Sequence, residues 1–236
     1  MMYPTHAASG AAAGAWLAVV AQPSPAYALV GVGVGALAAA APDLDHPSGR
    51  PAKKLGLLGW VVCRILRFVS HVLTGTRHRG ISHSLLFALL LGLGTFLLAE
   101  IWLPLGLSVY LGLAVATGVV SALLGDLVTR DSLKHLFWPF TVKASFPRRL
   151  RIKTGGPAEK FVVFPVMVIE IGFGLAQVIL GGDWWFWGLV TGGVTCSLAL
   201  IVLSSTWPWR SSSSSASRRR SRSGSTRSTV RSRSGH

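Results

Sequence analysis

Long uncharged stretches alternate with short, strongly basic connections along this chain. Six apolar segments stand out: Ala7–Ala21, Ala26–Ala41, Leu85–Leu103, Leu107–Leu124, Phe161–Leu180 and Trp184–Leu203. A helix needs about 20 residues, within a range of roughly 17–25, to cross the hydrocarbon of a bilayer. The last four segments reach that length. The first two are shorter and rich in Ala and Gly. Gly10 with Gly14, and Gly31 with Gly35, have the small-xxx-small spacing that lets helix backbones approach closely. The pattern predicts an all-α, polytopic membrane bundle of about six transmembrane helices in three hairpins. Between the second and third segments, Leu55–Leu73 carries Arg64, Arg67 and His71 on one face and apolar residues on the other. It reads as an interfacial amphipathic helix, or equally as a basic helix face packed on the protein.

Composition agrees with a membrane class. Half of the 236 residues are hydrophobic and 13% are charged, against about 25% charged in soluble domains. Mean hydropathy is +0.52. Cys63 and Cys196 lie in unrelated apolar surroundings, which excludes a disulfide framework or a Cys-x-x-Cys metal site. No Lys or Arg precedes Arg50, so the basic region of a cleavable signal peptide is not expected.

The net charge of +15 changes the picture only through its distribution. The 23 Lys and Arg fall in three blocks, Arg50–Arg79, Arg130–Lys160 and the tail from Arg210. The remaining connections contain none. The positive-inside rule places all three blocks, and with them both termini, in the cytoplasm. Residues 1–209 then form the membrane domain. Residues 210–236, almost only Ser, Arg, Gly and Thr, cannot bury enough apolar surface to fold. Membrane lipids are the expected surroundings, and anionic headgroups the expected partners of the basic loops and tail. Specific recognition of nucleic acid is not expected, because such a tail binds it through salt-sensitive charge alone.

The chemistry-bearing residues sort to one side of this topology. His6 opens the first helix, Asp43, Asp45 and His46 end the second, His78 and His83 precede the third, and Asp126 closes the fourth, with Asp131 and His135 following. Six of seven histidines and four of eight acids therefore share one face. Ionisable groups at a membrane are costly and point to function by default. The densest stretch, Pro42-Asp-Leu-Asp-His-Pro47, suits a divalent metal through carboxylate oxygen and imidazole nitrogen, although Pro-Asp and Asp-His-Pro are also ordinary turn chemistry. At His78-Arg-Gly-Ile-Ser-His-Ser84, a cap at Ser82 would put His83 in the first turn of the helix and His78 outside it. Arg79 has the reach and charge to clamp a phosphate or carboxylate.

These motifs, with His6, resemble the YdjM-like family of LexA-regulated bacterial inner-membrane proteins described as metal-dependent hydrolases. The likeness covers roughly residues 5–165. The resemblance implies a membrane-bound hydrolase with a divalent metal; the mix of histidine and carboxylate donors suggests zinc first and manganese second. On the residues present, the metal ligands would be His6, Asp45, His78, His83 and Asp126. Asp43 or His46 would be the general base and Arg79 the anion clamp. The chain departs from the family's Gly-x-x-Ser-His-x-x-x-Asp pattern at Ala122, which stands where the family has histidine one turn before Asp126. Either the site binds with one ligand fewer, or His135 substitutes, or activity is lost. Two readings of other classes stay open: a non-catalytic membrane protein held by a polar cluster or structural metal, and a transporter using Glu170, the only acid deep in a span.

Overall fold

The computed structural model describes residues 1–76, 78–129, 133–140, 142, 144 and 151–181. The sixth apolar segment, the tail, Arg77, Arg130 and Asp131 lie outside the described residues. The described chain is helical and contains no β-strand, only isolated bridges such as Thr129 with Ile152. Seven helices occur in order: α1 (Tyr3–Ala21), α2 (Pro25–Ala38), α3 (Arg50–Lys54), α4 (Gly56–Thr74), α5 (Leu85–Glu100), α6 (Leu105–Val128) and α7 (Phe164–Leu180).

Local chemistry sets these boundaries. Pro4 occupies the first turn of α1, where its missing N–H is no loss. The helix therefore begins at Tyr3, and His6 falls inside it. At the other end Gln22 takes a left-handed conformation (φ 47°) and donates its N–H to the Ala18 carbonyl. Pro25 then starts α2. Ser84, not Ser82, caps α5: its hydroxyl accepts the Phe87 N–H at 3.1 Å. The reason is a single 3₁₀ turn, Ile81–His83, that precedes the helix and delays its start.

Four described stretches are long and apolar enough to cross a membrane: Pro25–Asp45, Gly56–Thr74, Leu105–Val128 and Glu159–Leu180. One of them is the α4 region, read from sequence as interfacial. α5 is equally apolar, but its 16 residues span only about 24 Å at 1.5 Å each. α1 is 19 residues long, but Tyr3, Pro4, Thr5 and His6 make its first turn polar and Ala and Gly fill most of the rest.

Packing centres on α1, which contacts α2, α6 and α7, while α5 packs along α6. Glycine makes the closest crossings possible. A Cβ placed on Gly10 would strike the Gly35 carbonyl, and one on Gly118 would lie 2.5 Å from the same oxygen. Three helices thus meet at the Gly35 backbone. A second pair, Gly14 with Gly31, continues the α1–α2 seam. An apolar core includes Val115, Val119, Leu123, Leu127, Leu133 and Leu136. Gly118→Val is expected to force α6 away from α2, costing about 1–3 kcal/mol as overpacking. A thermal unfolding midpoint in detergent equal to the parent's would refute this.

Candidate metal and substrate site

Five segments converge at one end of the bundle: the start of α1, the 3₁₀ turn Pro42–Asp45 beyond α2, the loop from His78 to Ser84, the last turn of α6, and Glu159 ahead of α7. The hairpin order explains the convergence. α1 and α5 begin at this end, and α2 and α6 finish there.

Asp126 sits at its centre, almost wholly buried. The Nε2 of His6 lies 3.3 Å from one carboxylate oxygen, and the Nε2 of His83 lies 3.5 Å from the other. The amino nitrogen of Met1 lies 2.7 Å from the first. Asp43 stands at the edge, 3.9 Å from His6 Nε2 and partly exposed. Both histidines are buried.

Asp45 is fully buried and makes a different set of contacts. It accepts from His78 Nδ1 at 2.7 Å, from the Arg79 backbone N–H at 2.9 Å and from the Ser82 hydroxyl at 2.7 Å. These bonds draw the loop against the 3₁₀ turn and hold Arg79 at a left-handed φ of 55°. Ser82 Oγ also lies 3.1 Å from His83 Nδ1. A carboxylate only accepts, so the single Ser82 proton goes to Asp45 and His83 Nδ1 must be the donor to Ser82. In a neutral His83 the proton therefore sits on Nδ1. Nε2 is then the lone-pair nitrogen; it is buried, has no hydrogen-bond partner among the described residues and lies 3.5 Å from Asp126.

A lone pair and a carboxylate oxygen facing each other in a buried place are acceptors that a cation between them would satisfy. Around a four-coordinate ion held at about 2.0–2.2 Å, neighbouring donor atoms lie about 3.3–3.6 Å apart. The His6–Asp126 and His83–Asp126 separations fall in that interval and outside the roughly 2.7–3.2 Å of an N–H···O hydrogen bond. Among the described residues no three His, Cys, Asp or Glu side chains make a finished ion site as they stand. The fit therefore rests on these two pairs and on their donor chemistry.

His46 and His78 continue the cluster outward. Their rings meet edge to face with centroids 5.0 Å apart, and His78 meets His83 likewise at 5.8 Å. With Asp43 they line a cavity of about 570 Å³ whose other walls include Tyr3, Arg50 and Pro51. The structure thus places Asp43, His46 and His78 on an open cavity, and His6, His83 and Asp126 in the buried layer behind it. Arg79 is half-buried and does not line the cavity. His135 is buried in the segment after α6; among the described residues it makes no hydrogen bond or ion pair with Asp126, His83 or His6, and its Nδ1 finds no hydrogen-bond partner. Ala122 is buried one turn before Asp126.

Three contributors escape sequence reasoning. Arg50 follows Pro47 too closely to be read as a helix start, yet α3 carries it to the cavity. Ser82 reads as a helix cap and instead links Asp45 to His83. Glu159 is fully buried and accepts the Met2 N–H at 2.6 Å and the Gly155 N–H at 2.8 Å. It thereby supplies a carboxylate at the N-terminus of α1, where the helix dipole favours negative charge, and steadies the turn that carries His6.

The family model described as YdjM inner membrane protein matches residues 1–210, and the chain belongs to that family. No curated protein and no solved structure matches it.

Proposed function

We propose that this member of the YdjM inner membrane protein family is a multi-pass, metal-dependent hydrolase whose site opens at the cytoplasmic face, with both termini on that side. One observation carries the reading: a buried Asp126 carboxylate bracketed by two Nε2 atoms, one of them the lone-pair nitrogen of a neutral His83 whose Nδ1 meets the Ser82–Asp45 link. His6, His83 and Asp126 would hold a divalent ion, zinc or manganese by donor type, with His78 the next available imidazole. Bound there, the ion would lower the pKa of a water and polarise a phosphoryl or acyl oxygen.

The chain's own groups divide the remaining work. Asp45 lies behind His78 and, through Ser82, behind His83, and it orients both rings by their Nδ1–H groups. Carboxylates behind ligating histidines act in this way. Asp43 and His46, exposed to the cavity, are placed to take a proton from water or give one to a leaving group. Arg50 offers a fork of donors to an anionic substrate. Arg79 serves the loop through its backbone N–H. The cavity's mixture of cation and carboxylate, beside a membrane, suits a phosphoester with a lipid-like part.

A second reading is favoured by one specific feature. Asp45 has three protein donors and so is well satisfied without any ion. The same cluster would then be a polar staple between helices, with or without a structural metal. One experiment separates the two. The full chain is purified in detergent, its metal content measured by mass spectrometry, and phosphomonoester, phosphodiester and acyl-ester hydrolysis assayed before and after chelation. The expected result is near-stoichiometric zinc or manganese and a turnover that falls at least about 100-fold on chelation and returns with metal. Retained metal without turnover on any ester class would select the staple. A protein that takes up no metal under loading would sink the hydrolase.

A further inference from the structure

A second, larger groove of about 740 Å³ is lined by residues of α3 and α4 together with Pro47. α4 forms most of its wall. Successive α-helical residues are 100° apart, so Trp60, Arg64, Arg67 and His71 fall in one stripe. Lys53 faces them from α3, and Cys63 and Ala52 lie on the floor. Among the described residues no carboxylate lines the groove. The Arg64 guanidinium lies over the Trp60 ring at 5.1 Å, which steadies both side chains at the groove wall.

The rest of α4 divides into two further stripes. Gly59, Cys63 and Ser70 are buried against the protein. Leu57, Val61, Ile65, Phe68 and Val72 are exposed and fall directly beside the basic stripe, away from the buried one. The helix therefore presents a cationic channel flanked by a continuous apolar strip. Such an arrangement matches an anionic phosphate attached to hydrocarbon.

We infer that this groove is a binding site for an anionic glycerophospholipid. The headgroup phosphate sits among Lys53, Arg64, Arg67 and His71, and the acyl chains run along Leu57, Val61, Ile65, Phe68 and Val72. A free phosphate would use the cations and leave the apolar strip in water. A zwitterionic lipid would bring its own cation into a groove with no acid to receive it. α4 then lies along the lipid–water boundary, as helices with a basic face and an apolar face do. The site is separate from the proposed hydrolytic cavity, and none of its residues takes part there.

The test uses the delipidated full chain in detergent, with native mass spectrometry to count bound lipid. Phosphatidylglycerol, phosphatidylcholine and inorganic phosphate are titrated in parallel. Phosphatidylglycerol should bind more tightly than phosphatidylcholine. Arg64→Gln with Arg67→Gln should weaken it about 10- to 30-fold, as expected from two cations near a lipid surface. The charge-keeping pair Arg64→Lys with Arg67→Lys should retain most of the preference, and this pair guards against a folding artefact. Lys134→Gln with Lys153→Gln, two exposed cations elsewhere, should leave it unchanged. Equal loss in both neutralised pairs would mean diffuse attraction and overturn the site. Displacement of the lipid by micromolar inorganic phosphate would overturn the lipid in favour of a soluble anion. Equal binding of the two lipids by the parent chain would overturn it outright.

Discussion

Asp126→Asn is expected to remove bound metal from the purified protein and to lower ester turnover at least about 100-fold, with little change in fold. The substitution is nearly isosteric, so the space in the last turn of α6 stays filled. It removes the negative charge that gathers His6, His83 and the Met1 amino group. It also sets an amide nitrogen or a weaker carbonyl oxygen opposite two imidazole nitrogens, and neither replaces a carboxylate as a ligand for a hard or borderline ion. The measurement is metal stoichiometry beside turnover, with helical content and melting midpoint as controls. His83→Ala should behave alike, because its Nε2 has no other described partner. Parent-like metal content in Asp126→Asn would show that the two imidazoles do not share an ion with this carboxylate. The cluster would then be explained by its hydrogen bonds alone.

The coarse organisation of this end of the bundle is legible in the sequence, for simple reasons. Uncharged runs separated by basic connections give a hairpin order, and that order brings His6, Asp43, His83 and Asp126 to one end before any contact is known. The glycine seam is legible too, because Gly10–Gly14 and Gly31–Gly35 share a spacing that only close packing explains. What spacing does not carry is the direction of a side chain in a short turn. Asp43 and Asp45 are two residues apart and look equivalent in sequence. In the 3₁₀ turn one faces the cavity and the other is driven into the protein against Ser82 and the Arg79 backbone. The work of Arg50 depends on a five-residue helix, too short to show periodicity. Glu159 reaches Met2 across the whole length of the domain, a contact that no local pattern encodes. The fate of His135 depends on how the chain folds back after α6, where the Leu136 carbonyl accepts the Leu85 N–H. That pairing holds the segment in its own packing, leaving His135 Nδ1 without a partner.

Asp45→Ala should be the most destabilising single substitution at the site, by about 3–5 kcal/mol, as for a buried charged group stripped from its partners. In a domain of this size that lowers the unfolding midpoint by roughly 6–20 °C. Three donors lose their acceptor at once: His78 Nδ1, the Arg79 N–H and the Ser82 hydroxyl. Ser82 is fully buried, so its hydroxyl has no water to turn to. Arg79 is held at positive φ by the same bond, and a non-glycine residue has little reason to stay there without it. The consequence for chemistry follows from the loop. With Ser82 free to rotate, His83 is no longer confined to one tautomer, and the Nε2 lone pair facing Asp126 becomes only one of two arrangements. Asp45→Asn restores the volume and one acceptor but sets an N–H₂ against a donor, so it should recover only part of the stability. Ser82→Ala isolates the second effect, because it leaves Asp45 with two donors and removes the link to His83. It should cost about 1–3 kcal/mol in stability and lower metal affinity by about 10–100-fold. A loss below about 1 kcal/mol in Asp45→Ala would place this carboxylate outside the framework of the loop. Unchanged metal affinity in Ser82→Ala would remove the tautomer lock from the mechanism.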